Sequence, residues 1–268
     1  MKKPTVIGSL LRGAAIAFSI YSRIPVPQVR WDNAYMKHAF CFFPLIGVVI
    51  GGVETAWYFV ALELSASVWL FAAVAAMLPV LLTGGIHLDG LMDTCDALAS
   101  HAEPKIRSAI LIDPHVGAFA VIHCCLYFLL SAGIYAQVYE SGSWREIVLL
   151  GIGYVVARSV CALCVITLPC ARESGLARTF QNGADNTTVL ITQIVFLLVA
   201  GGLAVWLSPS SAATSTVLIM VLYIRFLRVT VKKFTGITGD LAGFLLTRIE
   251  LTMGVAVVGV LLLKGVTG

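Results

Sequence analysis

The sequence has 268 residues, of which 59% are hydrophobic and only 12% are charged, and its mean hydropathy is strongly positive. This composition excludes a water-soluble globular domain and indicates a polytopic membrane protein. The net charge of +4 is small, and basic residues do not alternate with aromatic ones, so we expect no nucleic-acid partner.

The length is accounted for by several membrane spans and short connections, so we expect one membrane-embedded domain over residues 1–268. The N-terminus lacks the pattern of a removable signal peptide. Seven cysteines lie mostly in apolar runs, and we expect no disulfides. Cys161 and Cys164 form a CxxC pair without a second pair or a nearby histidine, which favours core packing over a zinc site.

The first apolar stretch, residues 4–24, is interrupted by Gly8, Arg12 and Gly13, which predicts an interfacial or re-entrant helix. A polar loop follows at residues 25–38. Longer apolar runs then predict an all-α bundle of about seven transmembrane helices. These runs are 39–61, 66–86, 114–137, 146–168, 188–207, 214–231 and 244–263.

Lysine and arginine divide unequally between alternate connections of the predicted spans. One set holds most of them, whereas the other set holds Arg145 and Lys264. By the positive-inside rule the richer set is cytoplasmic, which predicts a multi-pass protein of the bacterial inner membrane. The richer set comprises residues 1–38, 87–113, 169–187 and 232–243.

The second span leads into an acidic segment, HLDGLMDTCDAL, at residues 87–98. On a helix, Asp89, Asp93 and Asp96 fall within about 60° of one another, with axial separations of about 6 and 4.5 Å. Such carboxylates repel one another unless a proton or a cation lies among them. Carboxylate oxygens suit Mg²⁺ or Mn²⁺, so the segment predicts a divalent metal site on the cytoplasmic side. A solvated acidic helix face is the alternative.

Asp113, followed by Pro114, stands at the start of the third span and has two interpretations. It is the N-cap of that span, with Pro114 in the first helical turn, or a fourth carboxylate folded back toward the first three. We favour the fourth carboxylate. His87 and His115 flank the cluster as candidate proton acceptors or phosphate partners, although a structural hydrogen bond is the more common role for such a histidine.

Two further connections on the same side combine glycine with cations. Residues 170–186 carry Arg172 and Arg178, and residues 232–243 read KKFTGITGDLAG. Glycine-rich backbone beside cations is suited to phosphate, although membrane topology alone also makes such loops basic. Arg158 lies deeper, in the fourth span, where a charge needs a substrate phosphate or an internal carboxylate as its partner.

The stretch TGGIHLDGLMDTCDAL, residues 83–98, resembles the signature of the cobalamin synthase family, the adenosylcobinamide-GDP ribazoletransferases. Further pieces follow in the family's order, so the resemblance covers nearly the whole chain. Two departures, Ala97 in place of the usual glycine and Pro114 in place of the usual serine, affect the local backbone and remove a hydroxyl. The further pieces are SRIPVP at 22–27, FPLIG at 43–47, ARESGL at 171–176, TGD at 238–240 and Glu250.

The resemblance implies an enzyme that transfers the adenosylcobinamide phosphate of adenosylcobinamide-GDP to α-ribazole or its 5′-phosphate and releases GMP. It also implies a Mg²⁺ cofactor, membrane lipid around the helices and an active site that faces the cytoplasm; a homo-oligomer is left open. One aspartate or His87 is the expected proton acceptor. The expected metal ligands are Asp89, Asp93, Asp96 and Asp113, and the expected phosphate contacts are Arg172, Arg178 and Arg158.

Two other functions would also use clustered carboxylates. A membrane phosphotransferase with a CDP-activated donor would carry Asp-xx-Asp-Gly-xx-Ala-Arg and a later Asp-xxx-Asp, but here Ala97 follows Asp96 and Asp113 has no partner four residues on. A divalent-cation transporter would place its acids near the bilayer midplane in two repeated halves, whereas here they lie at one end of a span. We therefore favour the synthase.

Overall fold

The computed structural model describes residues 6–29 and 33–267. These ranges are helical apart from short connections and one parallel β-bridge between Cys170 and Ile237, which confirms the predicted all-α class. Lys2, Lys3 and Arg30, which contribute to the charge asymmetry, lie outside the described residues.

Within the described ranges the chain forms twelve α-helices and one 3₁₀ turn. They are α1 (Val6–Tyr21), α2 (Asn33–Met36), the 3₁₀ turn (Ala39–Phe42), α3 (Phe43–Glu63), α4 (Val68–Thr83), α5 (Ile86–Ala99), α6 (Pro104–Ile110), α7 (Ala118–Ser141), α8 (Trp144–Thr167), α9 (Leu176–Gly183), α10 (Asn186–Leu207), α11 (Pro209–Phe234) and α12 (Gly239–Thr267).

Six of the described helices are long and apolar enough to cross a bilayer: α3 with its preceding 3₁₀ turn, α7, α8, α10, α11 and α12. The predicted span at 66–86 is instead the shorter helix α4, which is bent by 95° against α5. Gly84 and Gly85 make this bend with φ angles of 68° and 82°, a conformation that glycine adopts without steric cost. Counting the bent pair α4–α5 as one span, with α5 beyond the bend, gives the predicted seven, and this count places residues 62–65 and 87–113 on opposite sides of the membrane.

The N-terminal helix α1 ends at Tyr21, just before the Ser-Arg-Ile-Pro-Val-Pro segment. It has 16 residues and is not among the helices long enough to span a bilayer, as its interrupted apolar pattern indicates. Ile16, Ala17 and Tyr21 are buried against the rest of the bundle. Its position at the membrane interface stays a prediction.

Helix α8 lies at the centre of the bundle and packs against α3, α10 and α12. Its contact with α3 is very close: a Cβ added at Gly51 would lie 2.7 Å from the Cα of Gly151, and one added at Gly47 would lie 2.6 Å from the carbonyl of Tyr154. Small residues allow this backbone approach in membrane proteins. By contrast, α10 and α11 expose most of their apolar side chains.

Candidate functional site

A cavity of about 200 Å³ opens at the end of the bundle where the positively charged connections lie. Its walls come from the last residue of α1, the first residues of α3, α5 and α12, the inner end of α8, and the connection that leads into α9. Segments far apart in the sequence, from Tyr21 to Gly243, therefore meet at this one cavity.

The β-bridge brings the two glycine-containing connections together at the cavity. The Ala171 N–H donates to the Ile237 carbonyl at 3.0 Å, and the Ile237 N–H donates to the Pro169 carbonyl at 2.8 Å. Arg172 and Asp240 lie two and three residues after the paired Cys170 and Ile237, and a guanidinium nitrogen of Arg172 lies 3.9 Å from an Asp240 carboxylate oxygen. Arg172 also donates to the carbonyl of Ser108 at 2.8 Å.

Helices α5 and α12 cross closely enough to place two carboxylates on the cavity. A Cβ added at Gly90 would lie 2.7 Å from the Asp240 carbonyl oxygen, so only a glycine permits this approach without displacement. Asp89 and Asp240 both line the cavity as a result. Asp89 was predicted, whereas Asp240 was missed as a site residue although the TGD motif at 238–240 marked its position.

Arg178 also lines the cavity, at the start of α9. Its guanidinium lies 3.6 Å from the carboxylate of the exposed Glu173 and donates to the Gln181 side chain at 3.2 Å. The two arginines predicted to bind phosphate, Arg172 and Arg178, are therefore both brought to the cavity with Asp89 and Asp240.

Asp96 has a different role from the one predicted. Its carboxylate accepts hydrogen bonds from the N–H groups of Gly117 at 2.7 Å and Ala120 at 2.9 Å, and so caps the N-terminus of α7 from a neighbouring helix. A Cβ at Gly117 would collide with this carboxylate. Asp96 does not line the cavity.

Asp113 is neither the N-cap of α7 nor a wall of the cavity. It lies in an exposed loop, where it accepts from the His115 N–H at 3.0 Å and contacts the His115 ring nitrogen at 2.6 Å. The hydrogen bonds from His115 lower the pKa of Asp113. Pro114 precedes α7 and is not in its first turn. The favoured interpretation of Asp113, and the site role of His115, are thus corrected.

The remaining acids still influence one another. Burial, and to a smaller extent the nearby carboxylates of Asp89, Asp240 and Asp96, raise the pKa of Asp93 to about 6. Among the residues that the structure describes, no three acidic, histidine or cysteine side chains are close enough to enclose a metal ion. The predicted set of four aspartates is therefore not assembled. Mg²⁺ is commonly held by one or two carboxylates together with substrate phosphates, and Asp89 and Asp240 fit that mode.

His87 lies on the cavity with 7% of its surface exposed. Its ring stacks against Tyr21 at 5.9 Å and tilts against Phe43 at 5.8 Å, both between ring centroids. The Nε2 atom is buried and has no hydrogen-bond partner among the described residues. Its role as a proton acceptor stays a prediction.

Arg158 does not reach the cavity. Its side chain is 1% exposed and donates to the Glu250 carboxylate and the Tyr154 carbonyl, both at 2.9 Å. The sequence left two possible partners for Arg158, a substrate phosphate and an internal carboxylate. The structure contains the second, Glu250. The expectation that Arg158 contacts a substrate phosphate is wrong for this arrangement.

Comparison with known proteins supplies the family. The model of the cobalamin-5-phosphate synthase family (CobS) matches residues 13–258. The chain belongs to this family. The resemblance found in the sequence motifs is therefore confirmed.

Relatives of this synthase extend over nearly its whole length. A protein of Lachnoclostridium phytofermentans is 39% identical over 91% of this chain and 92% of its own length. Proteins of Clostridium perfringens strain 13 and Geobacillus sp. WCH70 are 31% and 30% identical, over 92% and 89% of this chain and over 96% and 92% of their own lengths. All three are named adenosylcobinamide-GDP ribazoletransferase. No solved structure matches the chain.

The two departures from the synthase family's usual motifs lie away from the cavity walls. Ala97 is fully buried in the core, and α5 continues through it without a break. Pro114 lies in the exposed loop that precedes α7. Neither departure changes the set of charged residues at the cavity.

Proposed function

We propose that the cavity is the active site of an adenosylcobinamide-GDP ribazoletransferase. A ribose hydroxyl of α-ribazole, or of its 5′-phosphate, attacks the phosphorus that bears adenosylcobinamide. The new O–P bond forms as the bond from this phosphorus to the oxygen that bridges the two phosphates breaks. GMP departs with the bridging oxygen, and the hydroxyl proton passes to a base. The observation that carries this proposal is the meeting of Asp89 and Asp240 with Arg172 and Arg178 on one cavity.

The cations of the cavity bind the diphosphate. Arg172 and Arg178 approach it from the connection into α9, and Gly175, which has a φ of 108° and no side chain, allows the backbone between them to contact phosphate oxygens closely. Fixed positive charge near the leaving phosphate stabilises the charge that develops in the transition state. Positioning of both substrates in one cavity supplies a further part of the acceleration.

Asp89 is the residue that accepts the hydroxyl proton in this proposal. Asp89 is exposed on the cavity, two residues after His87. Asp96, by contrast, accepts hydrogen bonds from the N-terminus of α7 and does not line the cavity. A carboxylate within hydrogen-bond reach of the attacking hydroxyl raises its nucleophilicity by general base catalysis.

Mg²⁺ is the proposed cofactor, with Asp89 and Asp240 on the cavity as its protein ligands. Their oxygens match the preference of Mg²⁺. Burial, and then the neighbouring carboxylates, raise the pKa of Asp93, which supports the proposal because an added cation would reduce the repulsion among these acids. When bound, the ion neutralises part of the negative charge of the diphosphate and of the departing GMP.

The cavity is too small for a whole corrinoid, because pockets that enclose drug-sized ligands measure about 300–1,000 Å³ and this one about 200 Å³. It accommodates the reacting phosphates and a part of the nucleoside. We propose that the corrinoid rests outside the cavity, at the cytoplasmic surface of the bacterial inner membrane, with lipid around the exposed apolar faces of α10 and α11.

The test uses purified protein in liposomes, supplied with adenosylcobinamide-GDP, α-ribazole and Mg²⁺, with GMP release as the measurement. Asp89→Asn removes a charge on the cavity and lowers the rate more than about 100-fold, since a base alone contributes about 10²–10⁴-fold. Asp185→Asn is the matched control, because Asp185 is an exposed N-cap of α10 and asparagine also caps helices. Equal rates in wild type and Asp89→Asn would reject the proposal.

A further inference from the structure

The cavity has two chemically different walls. We define the charged wall as Asp89, Asp240, Arg172 and Arg178, and the aromatic wall as Tyr21, Phe40, Phe43 and His87; all eight side chains line the same cavity. The charged wall suits a diphosphate. Tyr21, Phe40 and Phe43 of the aromatic wall have no part in that chemistry and need a separate explanation.

The rings of the aromatic wall form one continuous group. The Tyr21 ring lies 4.5 Å from that of Phe43, 5.9 Å from that of His87 and 6.4 Å from that of Phe40, between centroids. The planes of Phe40, Tyr21 and His87 are close to parallel, with 19° and 17° between neighbours. Flat aromatic molecules pack favourably against such rings.

We propose that the aromatic wall binds the planar base of the ribazole substrate. This inference rests on the proposed function and adds to it the part of the cavity that recognises the acceptor. The base of ribazole is a benzimidazole, a flat bicyclic ring with little hydrogen-bonding capacity. A flat, weakly polar base of this kind therefore suits a wall of aromatic rings that is bordered by the apolar side chains of Ile86, Cys161 and Val165.

The guanine of the donor is the competing occupant, and the wall is poorly suited to it. Guanine carries several donors and acceptors on its edge, and each one buried without a partner lowers affinity by about tenfold. Three of the four aromatic-wall residues are phenylalanine or tyrosine, whose rings are mostly carbon and which are 1–8% exposed. The wall thus selects an apolar base over a polar one.

Both walls border the same cavity. They meet on α5, where His87 belongs to one wall and Asp89 to the other. A base against the aromatic wall therefore holds its own ribose in the cavity that the charged wall also borders, where the hydroxyl is deprotonated.

The test compares Tyr21→Leu with Phe180→Leu in the liposome assay. Phe180 is fully buried and stacks on Tyr21 and Phe40, but it does not line the cavity. Direct contact predicts that Tyr21→Leu raises the KM for α-ribazole about fivefold to tenfold and leaves the KM for adenosylcobinamide-GDP within twofold. Phe180→Leu, which perturbs only the packing behind the wall, leaves both KM values within twofold.

Three results would overturn the inference: an unchanged KM for α-ribazole in Tyr21→Leu, an equal increase in Phe180→Leu, or an increase confined to adenosylcobinamide-GDP. Phe43→Leu provides a second contact variant if Tyr21→Leu does not fold. If the wild type turns over and any of these three results is found, the proposed function stands and the role of the aromatic wall in binding the base is rejected. If the wild type shows no turnover, equilibrium dialysis with α-ribazole alone decides: binding that Tyr21→Leu weakens supports the wall, and absent binding rejects it.

Discussion

The crossing of α5 and α12 at Gly90 gives the sharpest test of the site's geometry. In Gly90→Ala the new Cβ would lie 2.7 Å from the Asp240 carbonyl oxygen and 3.1 Å from the Asp240 Cα. Favourable contacts between such atoms lie near 3.5–4.0 Å, so the two helices must separate by about 1 Å. That movement separates Asp89 from Asp240.

The consequences for stability and activity differ in size. Overpacking lowers the free energy of unfolding by about 1–3 kcal/mol, whereas replacing glycine by alanine inside a helix raises it by about 1 kcal/mol. The variant therefore loses at most about 2 kcal/mol of stability and folds. A displacement of about 1 Å between reacting groups costs about 100-fold in rate. We therefore expect a folded protein with about 100-fold slower GMP release.

The assay measures GMP release in liposomes and thermal unfolding in detergent, with Gly133→Ala as the control. Gly133 lies inside α7, and a Cβ there meets nothing within 4 Å. The control keeps its activity and is at least as stable as wild type. A Gly90→Ala variant that folds and releases GMP within threefold of the wild-type rate would refute the claim that this crossing sets the geometry.

Three further predictions concern other parts of the structure. Asp96→Ala removes the cap of α7 and lowers stability by about 1 kcal/mol, measured by thermal unfolding; an unchanged midpoint would contradict the capping role. Glu250→Gln leaves the Arg158 guanidinium uncompensated and costs about 3 kcal/mol, whereas replacing both residues by methionine recovers most of it; equal destabilisation in both proteins would argue against the buried pair. In a cysteine-free background, Glu103→Cys is labelled only from the cytoplasm and Glu63→Cys only from outside; the reverse pattern would overturn the topology.

The spans could be predicted from the sequence because a bilayer imposes long apolar runs. The ends of α7, α11 and α12 differ from the predicted boundaries by several residues, since capping groups and short turns set them. The bend after Thr83 was readable from two consecutive glycines. Its 95° angle was not, because it depends on what α5 packs against.

The candidate site was only partly predictable. Periodicity placed Asp89, Asp93 and Asp96 on one helical stripe, but it could not show that α7 supplies N–H groups to Asp96 from more than 20 residues away. Asp240 lay in a short motif, and only the contact of α12 with Gly90 brings it to the cavity. The partner of Arg158 likewise required the position of Glu250 in three dimensions. The sequence motifs therefore indicated which residue types the site would use. The packing of the helices determines which of those residues lie on the same cavity.

The central claim is that Asp89 and Asp240 act together, with Mg²⁺, in the cavity where the two substrates meet. The most direct measurement is a Mg²⁺ titration of product formation by wild type and Asp240→Asn, with adenosylcobinamide-GDP and α-ribazole supplied to protein in liposomes. We predict equal amounts of GMP and of the ribazole-containing corrinoid, strict dependence on Mg²⁺, and at least tenfold more Mg²⁺ for half-maximal rate in the variant. The same Mg²⁺ dependence in both proteins, or full product formation after chelation of the metal, would contradict the claim.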